Sequence, residues 1–334
     1  MSVPYEIIRF QKPDIERKWL EHRKLGIGGS DVSSLMGLSK YKGPYALWAE
    51  KTGVVEPEDI SDKPQVIVGN VLEGIIRKWF RKMHPELVVT ASNCMLRSKE
   101  RPWAQASLDG VCHVRGAKKS DPSSYAVLEI KTVGEMSVKD WYDESGNLVV
   151  PIYYLCQVTH YLSVTGWQKA YVAALFGNRE FVEIEVNRDE DDIQVVNKAV
   201  DVFWSMVETR QPPSPLGLDG ESRALFQHHS QPAGEFKGVS GVPRSVADYI
   251  EAKERADLWK GELDAAKNRL KAEIGDADGI ESEDFRIKWV RATSTRFDER
   301  LFREENPELY EKYRRPAKRD MGLRYTDKTK KKGK

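Results

Sequence analysis

Long apolar runs are missing from this 334-residue chain: nowhere do about 18 apolar residues follow one another, the length that marks a membrane-spanning helix. Residues 1–11 also lack the basic-then-apolar layout of a signal peptide, so a cytoplasmic location is expected. Cysteine is scarce. Cys94, Cys112 and Cys156 are odd in number and scattered, which speaks against a disulfide framework and against any paired CxxC metal motif; they read as small buried apolar residues. Net charge is lacking too, because 53 Lys and Arg stand against 52 Asp and Glu. No whole-molecule field therefore draws the chain to nucleic acid, and any such contact must be local. The groups Arg17, Lys18, Arg23, Lys24 and Arg77, Lys78, Arg81, Lys82 are candidates, as is the tail from Lys328 to Lys334; taken singly, each also fits a solvated face.

The 40% apolar content with nine tryptophans fits a folded protein with one large domain or a core plus an appendage. Helices are predicted at 15–24, at 32–36 with Ser30 and Asp31 as its cap, at 45–52 and at 69–83, the last with apolar residues at helical spacing around Glu73. Strands are predicted at 87–92, 95–97, 104–114 and 125–132, with a hairpin loop at 115–124. A helix at 152–165, paired strands at 169–176 and 180–187, and a helix at 190–209 follow. Pro212, Pro213 and Pro215 then bar a helix, so 210–241 reads as a linker or long loop between a core at 1–209 and an extension at 242–325, with a basic tail at 326–334. The extension holds a long helix whose apolar residues from Tyr249 to Ile274 recur every three and four positions and call for a partner surface, then a short β pair at 279–282 and 285–292.

One constellation carries chemistry. Ser107-Leu108-Asp109-Gly110 is followed, a hairpin later, by Val127-Leu128-Glu129-Ile130-Lys131. Alternate residues of a strand share a face, so Glu129 and Lys131 project together while Leu128 and Ile130 face the core. Two carboxylates from neighbouring strands can bind a hard divalent cation, and the lysine can orient a water beside it. Acid-x-lysine also occurs at Glu16-Lys18, Glu235-Lys237 and Glu251-Lys253, but only Glu129-Lys131 lies in an apolar strand-like run with a second acid before it. An edge-strand ion pair is the competing reading.

The runs Leu25-Gly26-Ile27-Gly28-Gly29-Ser30-Asp31-Val32, Gly37-Leu38-Ser39-Lys40-Tyr41 and Tyr45-Ala46-Leu47-Trp48 resemble the opening of YqaJ-type viral recombinases, relatives of phage lambda exonuclease. The resemblance continues in order through Gly69-Asn70-Val71-Leu72-Glu73, Ala106 to Gly110, Leu128 to Lys131 and Gln157-Val158-Thr159-His160-Tyr161, and Glu305 to Tyr313 resembles the end of longer members. It implies a PD-(D/E)xK, restriction-endonuclease-like fold: an α/β core with a mixed sheet flanked by helices, here followed by the C-terminal extension. It also implies a magnesium-dependent 5′-to-3′ exonuclease acting on ends of double-stranded DNA, with two ions expected and manganese as a substitute. Residue by residue, Asp109 and Glu129 match the metal-binding acids, Ile130 a carbonyl ligand, Glu73 an acid near the second ion and Lys131 the group that positions the attacking water. Gln157 matches an orienting glutamine and Tyr154 an accessory tyrosine. Arg23 and Ser30 match a 5′-phosphate pocket, and a guanidinium fork with a hydroxyl suits that anion. Leu108 stands where the motif's name has proline.

Alternatives stay open for some of these residues. Glu73 also fits a surface pair with Arg77, Gln157 and Tyr154 fit simple packing on the sheet, and a capping role for Ser30 is compatible with phosphate binding. The resemblance further implies a homotrimer, a single-strand annealing protein as partner, and a phage or prophage origin in a bacterial cell. A restriction-type or nicking endonuclease with the same centre, or a non-catalytic DNA-binding scaffold, are the competing functions.

Overall fold

A computed structural model describes residues 3–10, 15–229, 234–315, 323 and 325 of the chain. Two units are formed, Met1–Ser230 and Gln231–Lys334. The first runs β1 (Tyr5–Arg9), α1 (Ile15–Lys24), α2 (Gly29–Leu35), α3 (Pro44–Lys51), α4 (Pro64–Met83), β2 (Leu87–Ala91), β3 (Cys94–Ser98), β4 (Gln105–Ala106), β5 (Gly110–Val114), β6 (Tyr125–Val133), α5 (Ile152–Thr165), β7 (Lys169–Phe176), β8 (Glu180–Asn187), α6 (Glu190–Glu208) and α7 (Asp219–His228).

Five strands make a mixed sheet in the order β2-β5-β6-β7-β8, in which only β6 and β7 run parallel. That pair needs a crossover, and α5 provides it. As the middle strand, β6 is buried on both faces. Leu128 and Ile130 pack with Ile76 and Phe80 of α4 on one side, while Val127 and Val133 pack with Val158 and Leu162 of α5 on the other. The expected mixed sheet flanked by helices is therefore present; β5 pairs with β6 only as far as Leu128 while β7 continues beside it, so Glu129 and Lys131 form their ion pair past the end of the β5 ladder, with the Glu129 carboxylate buried instead of on a solvated edge.

Three other expectations need correction. The run 104–114 is not one strand: β4 pairs with β3 in a second, three-stranded sheet, whereas β5 pairs with β2 and β6. The chain changes sheets at residues 107–109. Nor does α2 start at Val32. Its N-cap is Gly28, and the carboxylate of Asp31 reaches back to the Gly28 N–H at 3.1 Å, so the helix begins at Gly29 and Ser30 lies inside it. Finally, 210–241 is not all linker. Helix α7 belongs to the first unit, held by Glu221, a fully buried carboxylate that accepts from the N–H groups of Tyr45 (3.1 Å), Leu216 (2.5 Å) and Gly217 (3.0 Å). Ala224 joins the cluster of Leu47, Trp48, Val200 and Phe203 from α3 and α6.

The second unit contains α8 (Arg244–Ile274), β9 (Gly279–Glu281), β10 (Arg286–Lys288), α9 (Glu299–Glu305) and α10 (Pro307–Tyr313). The long helix is present, and several residues of its apolar spacing are exposed, Trp259 at 68%. The basic tail at 326–334 lies outside the described residues. No described helix is long and apolar enough to cross a membrane.

Two contacts of α5 set how the first unit closes. Where α2 crosses it, a Cβ on Gly29 would overlap the ring of Tyr161 and stand 2.9 Å from Cγ of Gln157, so only glycine permits the approach. His160 is buried; its Nε2 donates to the carbonyl of Gln105 at 3.0 Å, and its Nδ1 has no partner among the described residues. Burial holds the imidazole down to about 4, from an ordinary 6.5. The neutral form is thus the folded form. Its contribution is complete above pH 6.5 and is lost as pH falls from there to 4, because the unfolded chain takes up the proton first.

Gly29→Ala should lower unfolding free energy by about 1–3 kcal/mol through overpacking. Chemical denaturation monitored by tryptophan fluorescence checks this, and a variant as stable as wild type would contradict the close approach. Between pH 6.5 and 4, wild type should lose up to about 3 kcal/mol that His160→Gln does not lose. Urea midpoints measured across that range give the comparison, and parallel pH slopes for the two proteins would rule it out.

Candidate active site

The change of sheets at residues 107–109 creates the centre of the site. Where the β5–β6 ladder ends at Gly110 and Leu128, the carboxylate of Asp109 takes the next free main-chain donor, the Ile130 N–H, at 2.7 Å. One residue back on β6, Glu129 is 1% exposed. Lys131 Nζ lies 2.6 Å from its Oε1, and Gln157 Nε2, on α5, donates to the same oxygen at 2.6 Å. Lys131 also donates to Gln157 Oε1 at 3.2 Å, and Gln157 donates to the Tyr161 hydroxyl at 3.0 Å. The Lys131 ammonium sits 4.4 Å from the centre of the Tyr154 ring, a cation–π contact that fixes it from behind.

Electrostatically the site is under tension. Burial, and then the neighbouring charge of Asp109, push the Glu129 carboxyl up to about 8 against the pull of Lys131. Asp109 is raised as well, chiefly by burial, although Lys131 and the Ile130 N–H work the other way. Lys131 is itself pulled down by burial, but Glu129 and Asp109 outweigh that and keep it an ammonium. Glu73 on α4 is raised by burial and by Asp109, while its ion pair with Arg77 opposes the shift. The surface-pair geometry of Glu73 and Arg77 is therefore real, yet Glu73 also lines the cleft.

That cleft, of about 500 Å³, is walled by Asp109, Glu129, Ile130, Lys131, Glu73 and Gln157, and the same cavity reaches Arg23 and Ser30. Arg23 Nη2 donates to Ser30 Oγ at 3.0 Å and to Asp31 Oδ1 at 2.9 Å. The residues singled out for catalysis, metal and phosphate thus meet around one cavity, except that Tyr154 touches it through Lys131; of the described basic groups singled out with them, only Arg23 lines it. Sequence reasoning gave Asp31 only a capping role and gave none to Lys51, Trp19 or Tyr161. Asp31 and Tyr161 sit inside quoted motifs and could have been found there; Trp19 and Lys51 carry no local signal.

A divalent cation suits this donor set. Oε2 of Glu129 is buried and has no hydrogen-bond partner among the described residues, an acceptor left without a donor where two raised carboxyls converge. Hard oxygen donors of this kind match magnesium or manganese. Among the described residues no three His, Cys, Asp or Glu side chains are grouped so that they could hold a metal ion, so the fit rests on two carboxylates and the neighbouring main-chain carbonyl. In keeping with this, Arg77 holds Glu73 in an ion pair.

Comparisons with known proteins agree with the motifs. A model of the YqaJ-like viral recombinase domain matches residues 18–168. The uncharacterized protein YqaJ of Bacillus subtilis (strain 168) is 32% identical over 307 residues, which cover 89% of this chain and 90% of that protein. Among solved structures, an alkaline exonuclease from Laribacter hongkongensis is similar with a TM-score of 0.45 and 17% identity, over 58% of this chain and 93% of that one. A phage related exonuclease from Haemophilus somnus 129PT is similar with a TM-score of 0.40 and 11% identity, over 56% and 95% of the two chains. By the identity and length it shares with its Bacillus relative, this chain belongs to the YqaJ-like viral recombinase family.

Proposed function

We propose that the chain is a magnesium-dependent exonuclease that degrades one strand of linear double-stranded DNA from its 5′ end, leaving 3′ single-stranded overhangs for recombination by strand annealing. One observation carries the reading: Asp109, Glu129 and Lys131 converge in a cleft that also contains Arg23 and Ser30. Family membership supports DNA as the substrate.

Asp109, Glu129 and the main-chain carbonyl of Ile130 would hold one ion, and Glu73 would serve a second. Bound magnesium supplies Lewis acidity and a water of lowered pKa. The chain's own groups do the rest. Lys131, kept protonated by the acids around it, donates a hydrogen bond to the attacking water and orients it. Gln157 ties Glu129 and Lys131 into one arrangement, and Tyr154 limits where the ammonium can swing. Arg23 and Ser30 take the terminal phosphate, which sets which bond lies over the acids and releases 5′-mononucleotides. An endonuclease would need no such end-binding pocket, and a scaffold would need no buried acid, acid and lysine set. A ring-shaped homotrimer, a single-strand annealing protein as partner, and a cytoplasmic setting in a phage-bearing bacterium complete the proposal.

Digestion of linear duplex with 5′-phosphate or 5′-hydroxyl ends, beside closed circular DNA, tests this. Wild type should prefer the phosphorylated end, spare the circle and stop when EDTA is added; Lys131→Ala should lose about 100-fold or more in kcat. Cutting of the closed circle at the rate of the linear form would replace the exonuclease by an endonuclease, and activity that survives chelation would remove the metal.

A further inference from the structure

Three helix ends meet behind the phosphate-receiving end of the cleft. Arg23 lies in the last turn of α1, Asp31 in the first turn of α2 and Lys51 in the last turn of α3. Asp31 accepts from Arg23 Nη2 on one oxygen at 2.9 Å, and from Lys51 Nζ at 2.8 Å and the Gly28 N–H at 3.1 Å on the other. Lys51 Nζ also donates to the main-chain carbonyl of Arg23 at 2.7 Å. The same ammonium therefore grips the backbone of Arg23 and the acid that holds its guanidinium.

Exposure separates the three. The side chains of Asp31 and Lys51 are 10% and 7% exposed, against 29% for Arg23, so the arginine alone among them reaches well into solvent and the cleft. Burying an ion pair is weak support for stability, since well-packed apolar groups of the same volume do as well or better. Directing a guanidinium is a different task. It needs an acceptor at a fixed place, and the Asp31 carboxylate is held there by Lys51 and Gly28. We propose that Asp31 and Lys51 are positioning residues that aim Arg23 at the 5′-phosphate of the DNA end. This rests on the reading of Arg23 as a phosphate ligand and adds the two residues through which that ligand is set.

Charge and donor counts agree with it. Two cations and one anion leave the trio with one net positive charge, so Asp31 orients Arg23 without cancelling its attraction for phosphate. Nη2 is committed to Asp31 and Ser30, which leaves Nε and Nη1 without a partner among the described residues and available to an anion. The Trp19 ring lies 5.0 Å from the guanidinium carbon, a cation–π contact with the head group itself, and its Nε1 donates to Ser107 Oγ on the cleft wall at 3.1 Å.

The test measures kcat and KM separately on linear duplex with 5′-phosphate or 5′-hydroxyl ends, for wild type, Arg23→Ala, Asp31→Asn, Lys51→Met, Lys51→Arg and the double variant Arg23→Ala with Asp31→Asn, each checked by thermal melting. Asp31→Asn and Lys51→Met should raise KM for the phosphorylated end on the order of 10-fold, leave kcat within about twofold and erase the preference for phosphate. Lys51→Arg should restore most of that preference. In the double variant, Asp31→Asn should add nothing to the KM effect of Arg23→Ala. A folded Asp31→Asn or Lys51→Met that keeps the full preference overturns the inference, as does an equal loss of kcat on both ends. Should Asp31→Asn fail to fold, the two Lys51 variants decide. If wild type shows no preference that Arg23→Ala removes, the phosphate pocket itself is wrong, an outcome distinct from failure of the positioning role.

Discussion

A carboxylate cannot stay ionised in a protein interior without a partner, and the burial of Glu129 on the middle strand of the sheet is the condition around which the rest of the first unit is arranged. Lys131 comes two positions along the same strand, Gln157 comes from the crossover helix, and Asp109 arrives from the neighbouring segment. Lys131 and Gln157 satisfy one oxygen of Glu129, Asp109 adds a like charge beside it, and the other oxygen has no hydrogen-bond partner among the described residues. The strand order gives that site its rigidity. A parallel β6–β7 pair requires a helix between them, and that helix is the one that carries Gln157, Tyr154 and Tyr161 to the same face as Glu129.

The two ends of the cleft are coupled through α5. Tyr161 receives a hydrogen bond from Gln157 and packs directly against Gly29, one residue before Ser30. Asp109, Glu129 and Lys131 are thereby registered to Arg23 and Ser30 through a single helix instead of through loops. Under the proposed function, that registration would fix how far the scissile bond lies from the terminal phosphate.

Much of this was legible in the residues, and the exceptions share a cause. The apolar run of β6 interrupted by an acid and a lysine could be read because strand periodicity is local, and the amphipathic α4 carrying Glu73 could be read for the same reason. The break at residues 107–109 could not, since Ser107-Leu108-Asp109 looks like strand and only pairing partners decide that it joins two sheets. Asp31 and Lys51 look like ordinary surface charges of short helices; their burial follows from three helices meeting, which no window of sequence contains. Helix α7 was hidden by the prolines before it, because it depends on one distant carboxylate contact more than on its own pattern.

That contact bears on where the folded body ends. Glu221 closes three main-chain donors, one of them at the start of α3, the helix whose last turn supplies Lys51. A fragment cut at residue 209, where composition places the border, would leave the Tyr45 amide without its acceptor and strip apolar cover from Leu47 and Trp48. The packed first unit therefore extends through His228, whose ring pairs with the Tyr45 hydroxyl, and the stretch before α7 is tied to that helix where Leu216 and Gly217 donate to Glu221.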